Sequence, residues 1–170
     1  MDGRLGHILI LAGDRAGGLS AIERALALNP NSALAWNFFG WAQSYHDRLA
    51  PAIEALQRAM RLSPLDPQSW VFYGGFAHAH FAAGRHEEAI EWADRALHAQ
   101  PRMTAVVGIK AAACGHLGRV DEGRDCVRRF RELRPWSTVA SARQGWVKIR
   151  SPEVLASYLE GLRKAGLPEE

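Results

Sequence analysis

Nowhere does the sequence stay apolar for the roughly twenty residues that a membrane-crossing helix needs, and it carries no cleavable signal pattern. A soluble, intracellular, cytoplasmic protein without membrane contact is expected. Cysteine is scarce. Cys114 and Cys126 lie twelve apart on successive helices of one repeat, without C-x-x-C spacing; they are expected to be buried or surface thiols of no special role, and no disulfide is needed. The signatures of common enzymes are missing too: no GxSxG elbow, P-loop, HExxH, or GxGxxG after a strand, and no strand-like segment long enough to support the α/β versions. Gly74-Gly75 falls in a helical stretch rather than a phosphate-binding turn. No catalytic residue and no cofactor is expected.

Histidines and arginines are the remaining candidates for chemistry. His78 and His80 are two apart and face different sides of a helix, and His7, His78 and His116 lie in separate segments without carboxylate or thiol neighbours at matching spacing. No metal site follows from them. The net charge is only +3, yet Arg124, Arg128, Arg129, Arg131 and Arg134 crowd one segment, a stripe that nucleic-acid binders use on phosphates. Glu122, Asp125 and Glu132 interleave with them and offer i, i+3 and i, i+4 pairs, such as Asp125 with Arg128 and Arg129. A solvated helix face is the better account. An accessory nucleic-acid surface on this helix stays as the alternative reading.

What the chain does have is a beat. Pro30, Pro64, Pro101 and Pro135 each close an alanine-rich amphipathic stretch, at separations of 34, 37 and 34 residues. Five residues before them stand Ala25, Ala59, Ala96 and Phe130; twelve before, Gly18, Ala52, Ala89 and Gly123; twenty-four before, Gly6, Gly40, Ala77 and Ala111. Small residues recurring in this way mark where two helices touch. Seventeen before are Gly13, Asp47, Gly84 and Gly118, suited to a tight turn needing positive φ. Trp36, Tyr73 and Val107 come twenty-eight before the last three prolines.

This pattern resembles the tetratricopeptide repeat, whose aromatic, Gly, Ala and Pro positions are matched by Trp36, Phe39, Gly40, Ala52, Leu56, Ala59 and Pro64, with Gln43 in place of the usual tyrosine. The resemblance implies an all-α superhelix, a right-handed solenoid, of four units (1–30, 31–64, 65–101, 102–135). A connector and a C-terminal capping helix fill 136–170. Paired helices are predicted at 2–12 and 16–28, 33–46 and 50–62, 67–83 and 86–99, 104–117 and 120–133. Ser32 and Asp66 are predicted N-caps, with Pro67 at a first helical position. The three extra residues of the third unit are expected to add nearly a turn to its first helix. WSTVASAR reads as a short helix and QGWVKIR as an extended connector. Ser151-Pro152-Glu153 then starts a helix that ends at Gly166 and covers the last repeat, with Phe130 facing it.

The words RALALNPNSALAW, HFAAGRHEEAIEWADRAL and YLEGLRKAGLPE are similar to the C-terminal repeat region of bacterial class III adenylate/guanylate cyclase-like or winged-helix signalling proteins. That resemblance implies the detached repeat part of such a protein, lacking the upstream domain, and no activity of its own. The metal-binding aspartates of a cyclase map onto no position here.

Function is expected on the concave face made by the first helix of each pair. Counting one, five and nine residues on from the aromatic position gives Asn37, Trp41 and Tyr45, then Gly74, His78 and Ala82, then Gly108, Ala112 and His116, with Gly3, His7 and Leu11 from the first unit. Phe38, Gly75 and Ile109 adjoin them. Repeats that clamp a peptide carboxylate use Lys, Arg and Asn on this face. Only Asn37 is present, so that activity is disfavoured. The expectation is instead a groove for a partner peptide or helix formed by Asn37, Phe38, Trp41, Tyr45, Gly74, Gly75, His78 and His116, with Trp41 and Tyr45 as an aromatic ledge. The competing reading is that these aromatics only pack between repeats. Self-association through exposed repeat ends is a related expectation.

Overall fold

The computed structural model describes residues 3–146 and 151–170, and every regular element among them is helical. Four antiparallel pairs come first: α1 (Arg4–Leu11) with α2 (Arg15–Leu28), α3 (Ala33–Tyr45) with α4 (Leu49–Leu62), α5 (Ser69–Ala82) with α6 (His86–Ala99), and α7 (Thr104–Leu117) with α8 (Val120–Leu133). Then come α9 (Val139–Trp146) and α10 (Pro152–Lys164).

The prolines act through the residue in front of them. Asn29, Ser63, Gln100 and Arg134 leave the helical region with φ between −136° and −143°, because a proline ring clashes with an α-helical predecessor. Each still donates its own N–H to the carbonyl four residues back, at Ala25, Ala59, Ala96 and Phe130. The second helix of every pair therefore ends alike.

The tight turns are equally uniform. Gly13, Asp47, Gly84 and Gly118 have φ of 101°, 58°, 72° and 69°. In each turn the next residue donates its N–H to the carbonyl five back, at Leu9, Gln43, His80 and Cys114, over 2.9–3.0 Å. This closure satisfies carbonyls that a helix end leaves open. The same device ends α10, where Gly166 has φ 94° and Leu167 N–H bonds Leu162 O.

Small residues set the spacing within the pairs. A methyl on Gly6 would stand 2.5 Å from Gly18 O, and one on Gly40 2.6 Å from Leu56 Cγ. Ala77, Ala89 and Ala111 are fully buried at the matching places of later pairs. First helices stack in sequence order, α1 on α3 on α5 on α7, and each second helix also packs on the next first helix.

Three expectations need correcting. The extra residues of the third unit do not lengthen its first helix, since α5 has 14 residues, as α7 does. They widen the loop before it, where Leu65 is 93% exposed. Asp66 is not the N-cap: its carboxylate accepts from Gln68 N–H at 2.8 Å, Pro67 lies in that turn, and the helix starts only at Ser69. Gln144, Gly145 and Trp146 are not extended but belong to α9. That helix is stabilised at its start by reciprocal bonds between Thr138 and Ser141, and Val139 and Ala140 donate their N–H groups to Pro168 O and Glu169 O. The rest of the predicted connector, 147–150, and the predicted helix start at residue 2 lie outside the described residues. Ser32 and Ser151 do cap their helices, accepting from Ala35 and Val154 N–H.

Candidate functional site

α10 packs along α7, on the face that carries Gly108, Ala112 and Gly115. The approach is close because side chains are missing on both helices: a methyl on Gly115 would run into Gly161 O, and one on Gly161 into Ala112 O. Tyr158 reaches past α7 to meet Phe81 of α5 edge-on, with ring centroids 6.0 Å apart. Phe130 lies beside it, its Cε2 3.3 Å from where a Gly108 methyl would be, which is the cap-facing position expected of it. His116 Nε2 donates to Ser157 O at 2.8 Å. The part of the inner face that α7 contributes is thus filled by the chain's own C-terminal helix.

The rest of that face stays open as a cleft of about 700 Å³. Phe38, Trp41 and Tyr45 of α3 form one wall with His7 and Leu11 of α1. Trp70 and Val71 of α5, Met103, and Trp146 of α9 form the other side. The lining is aromatic and aliphatic; among the described residues that line it, Arg134 at the rim carries the one permanent charge.

Only part of the predicted groove borders this cleft. Phe38, Trp41 and Tyr45 do. Asn37, Gly74, Gly75 and His78 are buried behind the wall, and His116 is under α10. Trp41 and Tyr45, at 4% and 2% exposure, show only an edge. Trp41 Nε1–H donates to Val71 O at 3.2 Å, and the Tyr45 and His78 rings meet edge to face at 4.9 Å. Ser44 Oγ lies 2.8 Å from Trp41 O and 2.9 Å from His78 Nδ1. Its proton goes to the carbonyl, which can only accept, so the imidazole donates from Nδ1. The two glycines make room for neighbours within the protein: a methyl on Gly74 would stand 2.7 Å from Met103 Cε, and one on Gly75 2.6 Å from Leu56 Cδ2. Asn37 is fully buried, and neither atom of its amide has a hydrogen-bond partner among the described residues.

His7 lies against Phe38 with ring centroids 4.8 Å apart and planes 23° off parallel. Burial brings its pKa down to about 4, so the ring is neutral at pH 7. Trp70 and Trp146 were not anticipated. Trp70 sits four residues before Gly74, one turn up the same helix face, a spacing that could have revealed it. Trp146 stands outside the repeat pattern and had no such signal. On the outer side, Arg128 pairs with Asp125 at 2.8 Å as expected, whereas Arg129 bonds Pro101 O.

Residues 4–67 match the family described as "Tetratricopeptide repeat", and residues 45–130 the family described as "Anaphase-promoting complex, cyclosome, subunit 3". No curated protein matches the chain. Among solved structures it is similar to TTC0263, a thermophilic TPR protein of Thermus thermophilus, with TM-score 0.68 and 22% identity over 95% of this chain and 89% of that one. Similar too are MamA (0.63, 18%, covering 97% and 93%) and YrrB, described as a TPR protein with an unusual peptide-binding site (0.58, 17%, covering 95% and 81%). At these identities the likeness concerns the fold.

Proposed function

We propose, from the premise that this chain belongs to the tetratricopeptide repeat family, that it is a noncatalytic protein-interaction scaffold whose open cleft takes an apolar segment of a partner. The observation that carries this is the aromatic lining of the cleft, with Phe38 and Trp70 half-buried at its edges. Aromatic side chains of this kind contribute most of the energy in protein interfaces. The site suits a peptide or helix with one or two large apolar anchors and a carboxylate able to reach Arg134. The peptide-binding site named for YrrB supports the reading by analogy. The word-level resemblance to cyclase-like signalling proteins supports a place in bacterial cytoplasmic signalling.

A displayed peptide library tests the site. Selection on the wild-type protein is expected to enrich peptides with aromatic or leucine anchors and an acidic residue, whose binding is lost in Phe38→Glu and Trp70→Glu. Trp136→Ala, outside the cleft and 74% exposed, should leave them bound. Peptides that bind all three variants equally would refute the cleft, and peptides or nucleic acid held only through Arg124 and Arg131 would favour the alternative surface. A second reading, self-association, has its own observation. Leu5, Ile8 and Leu11 of α1 are 46%, 59% and 48% exposed, and a sedimentation coefficient independent of concentration would count against it.

A further inference from the structure

Cys114 and Cys126 meet across the α7–α8 hairpin, away from the cleft, and both are free thiols. The helices are close here because position 123 has no side chain: a methyl on Gly123 would stand 3.5 Å from Cys114 Cβ. Cys126 follows one turn later on the same side of α8, which sets its thiol beside that of Cys114. They differ in access. Cys114 is fully buried, whereas Cys126 is 9% exposed and lines two adjoining hollows of about 460 and 290 Å³, both also bordered by Lys110 and Arg129. Lys110 is fixed there by Asp94 at 2.6 Å and Glu122 at 2.8 Å. Interaction with the adjacent Cys114 thiol, helped by the Lys110 charge, holds the Cys126 thiol below its ordinary pKa. The same interaction, together with burial, pushes Cys114 up. One thiol is therefore reached from solvent and favoured as thiolate, with a protonated partner directly behind it, which is the arrangement of an attacking and a resolving cysteine.

We propose that Cys126 and Cys114 form a peroxide-responsive dithiol. The Cys126 thiolate attacks a hydroperoxide; the O–O bond breaks, the sulfur loses two electrons and becomes a sulfenic acid, and the departing oxygen takes a proton and leaves as water or alcohol. Cys114 sulfur then attacks Cys126 sulfur. The S–S bond forms, the S–O bond breaks, and the hydroxide leaves as water with the Cys114 proton. Closure draws the two sulfurs to about 2.05 Å. It does so at the seat of α10, since Gly115 touches Gly161 and Gly123 adjoins Ala165.

The test is to treat the whole protein with hydrogen peroxide, remove the oxidant with catalase, unfold it, and measure free thiols and intact mass. Both thiols should disappear together, the mass should fall by about 2 Da, the chain should stay unlinked to others on a nonreducing gel, and dithiothreitol should restore both thiols. In Cys114→Ser, dimedone should trap a sulfenic acid on Cys126; in Cys126→Ser, Cys114 should stay titratable; in Lys110→Met, oxidation should slow severalfold. Circular dichroism checks that each variant is folded, and the wild-type result stands without them. The proposal is overturned if both thiols survive a dose that consumes free cysteine, if the disulfide forms only between chains, or if Cys114 oxidises at the wild-type rate without Cys126.

Discussion

The Tyr158 hydroxyl lies where a side chain on Gly108 would have to stand. One turn or two along, Gly115 and Gly161 bring backbone against backbone. The seat of α10 therefore depends on what α7 lacks, and filling it should evict the helix.

Gly115→Val places a branched side chain against the Gly161 carbonyl, which unlike a flexible side chain cannot swing away. Overpacking of this kind costs about 1–3 kcal/mol. Hydrogen exchange should show residues 152–164 losing protection while α3 to α6 keep theirs. Unchanged protection of α10 would contradict the packing described.

The turn row gives a paired prediction. Asp47 holds a φ of 58° that Gly13, Gly84 and Gly118 hold at the other turns. Asp47→Gly should relieve left-handed strain and leave stability unchanged or raise it by up to about 1 kcal/mol, glycine's greater unfolded-chain entropy opposing the gain. Gly118→Ala should lower it by about 1 kcal/mol. Urea midpoints check both, with the slopes expected to stay constant.

Stability should fall on mild acidification. Burial lowers the pKa of His7 to about 4 and is the first cause of lowered values at His46, His80 and His86. Each of these rings takes up a proton less readily in the fold than in the unfolded chain, which protonates below about pH 6.5, so the unfolded state binds more protons and stability drops as pH falls through that range. Glu122 and Glu160, whose pKa values are lowered chiefly by hydrogen bonds from Lys110 and Lys164, add to the loss only once pH falls into the ordinary carboxylate range and below it. Melting temperature should decline between about pH 7 and 5, and His7→Phe, which keeps a ring against Phe38, should flatten part of the slope. A melting temperature constant over this range would exclude neutral buried histidines.

Asn37 separates stability from recognition. Its buried amide lacks partners among the described residues, and replacing such a group by an apolar one of similar shape is nearly neutral or stabilising. Asn37→Leu should melt no lower than wild type. Because the amide lies behind the cleft wall and not on it, the same variant should keep its affinity for the selected peptides, and calorimetry reads both effects on one sample.

The regular part of the fold was legible because it is written locally. A proline acts on its predecessor, and a turn glycine closes a bond five residues long, so both recur at fixed offsets. Position 66 misled because Asp-Pro can cap a helix or build a turn, and local chemistry permits both. The seat of α10 was hidden for a different reason: His116 and Ser157 are 41 residues apart, and no periodicity links them. The inward direction of Trp41 and Tyr45 was readable from helical spacing, but not that His78 and Val71 would take up most of their surface. Trp146 enters the cleft only because α9 extends through Gln144 and Gly145, in a stretch that reads as extended.

His78 meets Trp41 and Tyr45 where α5 follows α3, and the corresponding residues of α7, Ala112 and His116, meet α10 instead. An engineer who wished to lengthen the array by grafting a further hairpin after Pro135 would find its berth already taken. The graft would have to be bulky enough to displace the resident helix, or carry Gly108, Gly115 and Gly161 with it as a ready-made terminator.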